Sequence, residues 1–173
     1  MENTSSRKWS IIFAALLMAA ALITAGAIIM SGKKTVGRNV KEDKIYDFYY
    51  TDSTSTFPPY FQRYRFTAVE GEYFFYHETR EGDHFPLTEA DITVSGTLSL
   101  TGQQWDEFYS LLENGTVRNR EDDVTDGDSG PWTYLYWKGD RGRCREFTFE
   151  SYAKRLEFEE LCLKLREQQI NSQ

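Results

Sequence analysis

Two cysteines and two histidines are all that this chain of 173 residues offers toward soft-metal or imidazole chemistry. A zinc site needs clustered Cys and His ligands at short spacings, and Cys144 and Cys162 have neither His77 nor His84 near them in sequence. No Gly-rich loop ending in Lys-Ser or Lys-Thr is present, which removes the usual phosphate cradle. Basic charge is scarce as well. Residues 45–173 hold 13 Lys and Arg against 24 Asp and Glu, a net of −11. So acidic a surface repels phosphate backbones, and no nucleic-acid partner is expected.

What is present first is a long apolar run. Trp9 to Met30 makes 22 residues without Asp, Glu, Lys, Arg or His. A helix of that length covers roughly 33 Å, against about 30 Å of bilayer hydrocarbon. Cleaved signal sequences carry shorter apolar cores, about 7–15 residues, ending in a small-x-small site. Ala25-Gly26-Ala27 has those side chains, but Ile28-Ile29-Met30 continues the apolar run. The expectation is a retained signal anchor contacting the membrane through residues 9–30. Orientation sets two rules against each other. Lys33, Lys34, Arg38, Lys41 and Lys44 follow the run, which by the positive-inside bias favours a cytoplasmic C-terminal side. Arg7 and Lys8 on an eight-residue tail form the n-region of an export signal, which favours the opposite. The second reading is preferred, with a single-pass protein in the cell membrane and its C-terminal domain outside the cytoplasm.

The organisation expected is a tail over 1–8, the transmembrane anchor over 9–30, and a basic stalk and linker over 31–60. An extracytoplasmic domain follows over 61–168, and a frayed tail over 169–173. The linker is read from the Ser/Thr-rich stretch before Pro58-Pro59. Arg63–Val69 and Tyr73–Glu78 alternate in polarity about Glu70-Gly71, a hairpin pattern. Ile92, Val94, Gly96, Leu98 and Leu100 share one face of a strand, with Thr93, Ser95, Thr97 and Ser99 opposite. Thr101 and Gln104 make a capping box ahead of Trp105, Phe108, Tyr109 and Leu112, which recur at helical spacing. Trp132–Trp137 and Arg143–Phe149 read as a second hairpin, and Ser151 caps a last helix whose stripe is Phe158, Leu161, Cys162 and Leu165. Runs of antiparallel strands with interposed helices predict an α+β fold. The domain is then one antiparallel sheet with two helices packed on one face, behind an N-terminal transmembrane helix.

Candidate sites are few. Asp126-x-Asp128-x-Gly130 has the carboxylates and sharp turn of a calcium loop, but Trp137 stands where the closing Glu belongs. Asp126 and Asp128 are the metal candidates on that basis, and no cofactor is expected. Outside the cytoplasm Cys144 and Cys162 can pair as a disulfide, although strand alternation sets Cys144 on the face opposite Phe147 and Phe149. Gly127-Asp128-Ser129-Gly130-Pro131 is similar to the nucleophile loop of trypsin-like proteases, but their histidine motif is absent. His77 and His84 read as surface residues. Arg118, Arg120, Lys138, Arg141, Arg143 and Arg145 read as an internally paired basic set beside the acidic 121–128 loop.

From Gly96 to Leu165 the segments GTLSLTGQQW, GDSGPWTYLYWKGD and EFTF before a terminal helix resemble small extracytoplasmic proteins of Gram-positive bacteria, membrane-anchored or lipoprotein-like and uncharacterised as a group. The resemblance implies tethering by a lipid or a single span and an outward domain. It implies no activity. The expected function is a non-catalytic domain binding a protein or envelope ligand. The alternative is a cell-envelope hydrolase working through acids of the 121–128 loop.

Overall fold

The computed structural model describes Met18 and residues 33–119, 130–140 and 145–172. The chain divides into two compact units, Met1–Gly32 and Lys33–Gln173. The apolar run 9–30, and with it the expected transmembrane helix, lies outside the described residues apart from Met18. Among the described residues no helix is long and apolar enough to cross a membrane.

The second unit is α+β. Its elements are β1 (Lys34–Thr35), β2 (Ile45–Thr54), β3 (Tyr60–Val69), β4 (Glu72–Glu81), β5 (Ile92–Leu100), α1 (Gly102–Leu112), β6 (Thr116–Asn119), β7 (Gly130–Trp137), β8 (Arg145–Thr148) and α2 (Tyr152–Asn171). The strands form one eight-stranded sheet in the order β1-β6-β8-β7-β2-β3-β4-β5, with antiparallel neighbours throughout. The β3–β4 hairpin turns through Glu70 at φ 53° and Gly71 at φ 90°. Two successive left-handed residues suit the right-handed twist of the flanking strands, and Gly71 adopts that region without a Cβ penalty.

Both helices pack on one face, as the polarity patterns predict. Thr101 and Gln104 complete their capping box, and Trp105, Phe108 and Leu112 of α1 are buried. Ser151 caps α2, whose Phe158, Leu161, Cys162 and Leu165 enter the same core. Aromatic rings dominate it. Phe48 of β2 packs against Phe66, Phe108, Phe147, Phe149 and Phe158, with ring centroids 5.4–6.5 Å apart and steep interplanar angles. These edge-to-face arrangements set the positive ring edge against the negative face of its neighbour. Phe66 stacks on Phe108 at 4.0 Å, and Tyr73 on Trp105 at 4.5 Å. The alternation in β5 survives intact: Thr93, Ser95, Thr97 and Ser99 are exposed, and the residues between them are not.

Three sequence expectations change. The stretch expected as linker contains β2, the strand between β7 and β3, and the folded unit begins at Lys33. Thr51 and Ser53 are buried at 6% exposure each, because they face the side of the sheet away from the helices, opposite Arg63 and Phe61 of β3. The Ser/Thr content that mimics a linker belongs to a half-polar strand. The tail 169–173 is helical to Asn171, and Gln169 is buried. A Cβ at Gly96 would fall 2.3 Å from the Gln169 amide, so that glycine makes the room for the docked helix end.

His77, expected at the surface, is the third. It is wholly buried and lies 3.1 Å from Gln169 through Nε2, with no hydrogen-bond partner at Nδ1. Burial holds its pKa below the ordinary 6.5; the Gln169 contact opposes this weakly, and the Arg166 charge adds to it. Above that ordinary value folded and unfolded chains are both neutral at this residue. Below it the unfolded chain takes up a proton that the folded one resists, so stability falls as pH falls. Thermal unfolding at pH 7.5 and 5.5 should show the loss, up to about 1.4 kcal/mol per pH unit. The His77→Gln variant should lose less over the same range. Identical pH slopes in the two proteins contradict the assignment.

Candidate functional site

Two features stand out from the core. The first is the sheet face away from the helices, where arginines and rings interleave. Arg65 donates to both Asp47 oxygens at 3.0 and 2.9 Å, and its guanidinium lies 4.9 Å from the Tyr49 ring centroid. Arg80 donates to Glu78 Oε1 at 3.0 and 2.6 Å and covers Phe61 at 4.4 Å. Tyr76 donates to Glu78 Oε2 at 2.5 Å, and burial together with that bond pushes its hydroxyl pKa up to about 12. Arg63 lies 3.9 Å from Glu78 and 5.0 Å from the Phe61 ring. Asp47, Glu78 and Arg80 are all under 9% exposed. Acids and arginines thus neutralise one another within a second, polar layer, which holds the sheet rather than presenting an open site.

The second feature is a cleft. β7 and β8 are registered at Tyr134↔Glu146, and among the described residues no pairing between them continues toward Trp132 and Thr148. The strands part there, and a cleft of about 280 Å3 opens between β7, the end of β8 and the first turn of α2. Trp132, Thr133, Glu146, Ser151, Tyr152 and Arg155 line it. Each is positioned by local structure. Trp132 and Thr133 sit on the half of β7 that β2 still pairs. Ser151 accepts from the Lys154 N–H at 3.2 Å, which starts α2 at the cleft wall. Arg155, one turn in, lies 4.7 Å from the Tyr152 ring centroid and 3.3 Å from Glu159 Oε1.

The electrostatics are asymmetric. Glu146 is taken by a two-point contact from Arg118, at 3.1 and 2.8 Å. On the helix side of the gap Arg155 and the positive end of the α2 dipole lie beside the Tyr152 ring. Behind Arg155, Tyr50 donates its hydroxyl to Glu159, and burial followed by this bond pushes the Tyr50 pKa far above the usual phenol range. Asp52 belongs to the same cluster. Burial raises its carboxyl pKa, the Glu159 charge raises it further, and Arg155 opposes both. A guanidinium carries five N–H donors; the ion pair with Glu159 lies at Nε, which is buried and makes no hydrogen bond among the described residues. Such a lining suits a planar anion flanked by an apolar group.

The sequence-derived candidates lie elsewhere. Asp126 and Asp128, the rest of the acidic loop, Cys144, Arg120, Arg141 and Arg143 fall outside the described residues. The pairing of Cys144 with Cys162 falls outside with them. Cys162 itself is wholly buried, and burial pushes its thiol well above the usual range. Among the described residues no cluster of three or more His, Cys, Asp or Glu side chains is arranged to hold a metal. His84 lies 3.5 Å from Asp83 and 3.4 Å from Asp91 on a partly exposed loop. Internal pairing holds for two of the basic residues, Arg118 with Glu146 and Arg145 with Asp140. Sequence reasoning passed over Asp52, Tyr50, Arg155 and Glu159. The one available signal was the i, i+4 spacing of Arg155 and Glu159 right after the Ser151 cap. No family model matches the chain, and no curated protein or solved structure matches it.

Proposed function

We propose that the chain is a single-pass membrane protein whose folded domain, held outside the cytoplasm, binds a small carboxylate-bearing ligand without turning it over. The anchor reading rests on the uncharged run 9–30, and the outward reading on Arg7-Lys8 before it. The observation that carries the binding reading is Arg155 at the rim of an aromatic and hydroxyl-lined cleft. About 280 Å3 sits at the small end of ligand sites and admits a group of roughly dipeptide size. A C-terminal peptide carboxylate fits that chemistry, with the anion on Arg155 and a small side chain against Tyr152.

Calorimetric titration of the full chain in nanodiscs with N-acetyl-Ala-Ala and with its C-terminal amide tests this. The acid should bind, and both the amide and the Arg155→Ala variant should bind about 10- to 100-fold more weakly, the range of a charge-assisted hydrogen bond. Equal affinity for acid and amide removes Arg155 from the site. A second reading, a hydrolase acting through carboxylates, is favoured by the raised carboxyl of Asp52 beside Glu159. It predicts release of the C-terminal residue from the same dipeptide, abolished by Asp52→Asn.

A further inference from the structure

The segment expected as a stalk is built into the fold. Val36 and Val40 are buried, at 1% and 0% exposure. The Val36 N–H donates to the Gly115 carbonyl at 3.0 Å, and the Asn114 N–H donates to the Val36 carbonyl at 3.1 Å. Gly37, at φ 86°, makes the turn between the two valines. Only Ser31 and Gly32 then separate Lys33 from Met30, a span of about 11 Å at full extension. An anchor that ends at Met30 leaves the folded domain almost no tether.

Charge is sorted along the same boundary. Residues 33–44 carry five basic and two acidic side chains, against the net of −11 over 45–173. The fold brings basic groups from separate segments around Trp137. Lys34 Nζ lies 5.2 Å from the Trp137 ring centroid, and the Lys138 N–H donates to the Lys44 carbonyl at 2.8 Å. Lys33, Lys34, Lys44 and Lys138 are all exposed. Asp43 holds Lys44 at 2.6 Å, so that pair adds no net charge, and Asp140 holds Arg145 at 2.6 Å; Glu42 lies with Asp106 and Glu113 toward α1.

We infer that this corner, with Lys33, Lys34 and Lys138 beside Trp137, rests on the headgroups of an anionic bilayer leaflet and orients the domain. The inference rests on the anchor reading above. The acidic remainder of the surface is repelled by the same headgroups, so the two terms favour one orientation. Each lysine held near such a surface strengthens the contact about fivefold.

Hydrogen exchange on the full chain in nanodiscs of phosphatidylcholine alone, or mixed equally with phosphatidylglycerol, tests it. Anionic lipid should slow exchange several-fold at Lys41–Ile45 and Trp137–Asp140. The loop over 82–91, at the opposite end of the central strands, should be unaffected. The triple variant Lys33→Gln, Lys34→Gln, Lys138→Gln should lose the protection while keeping the thermal midpoint of the parent, since all three positions are exposed. Equal exchange in both lipids, in a chain that floats with the vesicles, overturns the corner contact and leaves the anchor standing. A chain that does not float with vesicles overturns the anchor reading itself, and the corner contact with it.

Discussion

Replacing Phe48 with alanine should lower the stability of the folded domain by about 3–5 kcal/mol. Phe48 is wholly buried and meets five other phenyl rings, drawn from β3, β8, the residue after β8 and both helices. Truncating such a ring removes its transfer free energy and leaves a void that five rigid rings fill only in part. Phe→Ala changes in cores cost about 3–5 kcal/mol. Whole domains are stable by about 5–15 kcal/mol. The substitution should therefore take about a fifth of the stability or more, read as a shift in urea midpoint with unchanged slope. Phe48→Leu keeps most of the volume and should cost far less. A cost under 1 kcal/mol for Phe48→Ala means that the core is not organised around this ring.

Replacing Glu78 with alanine should cost nearly as much, for a different reason. The Arg80 side chain is 7% exposed and that of Glu78 5%, and the two share bonds of 3.0 and 2.6 Å. Without Glu78 the Arg80 guanidinium stays between β-strands over the Phe61 ring with its charge uncompensated. Removing one partner of a buried pair costs about 3–5 kcal/mol, whereas exchanging both for apolar groups of similar volume is often neutral. The double variant Glu78→Leu, Arg80→Met should recover most of the loss, which a double-mutant cycle measures. Tyr76 and Arg63 also face Glu78, so recovery falls short of complete. If Glu78→Ala alone costs less than 1 kcal/mol, this face of the sheet is solvated and the polar layer is not structural.

Much of the fold was legible because periodicity records burial directly. The strand Ile92–Leu100, the Thr101 box and the Phe158 stripe were each visible from spacing alone. Asn114 stands at φ 65°, and the following Gly115 leaves room for the Phe147 ring, which a Cβ would meet at 2.3 Å. β2 was illegible for a physical reason. Its Asp47, Tyr49, Thr51 and Ser53 face a covered layer in which Asp47 is paired with Arg65 and Thr51 and Ser53 lie opposite Arg63 and Phe61. A polarity pattern cannot separate a solvated face from a paired one, since both use the same residue types. The cleft was illegible because it depends on where β8 leaves β7, a fact of pairing and not of composition. His77 was misplaced because its partner, Gln169, lies 92 residues away.

The most direct test of the binding account is side-chain resonance mapping on the full chain in nanodiscs as N-acetyl-Ala-Ala is added. The account predicts saturable shifts at the Arg155 Nη–H groups and the Tyr152 ring. The amide should leave both unmoved, and Arg155→Ala should silence the Tyr152 response. Shifts confined to other surfaces, or equal shifts with acid and amide, contradict the cleft as a carboxylate site.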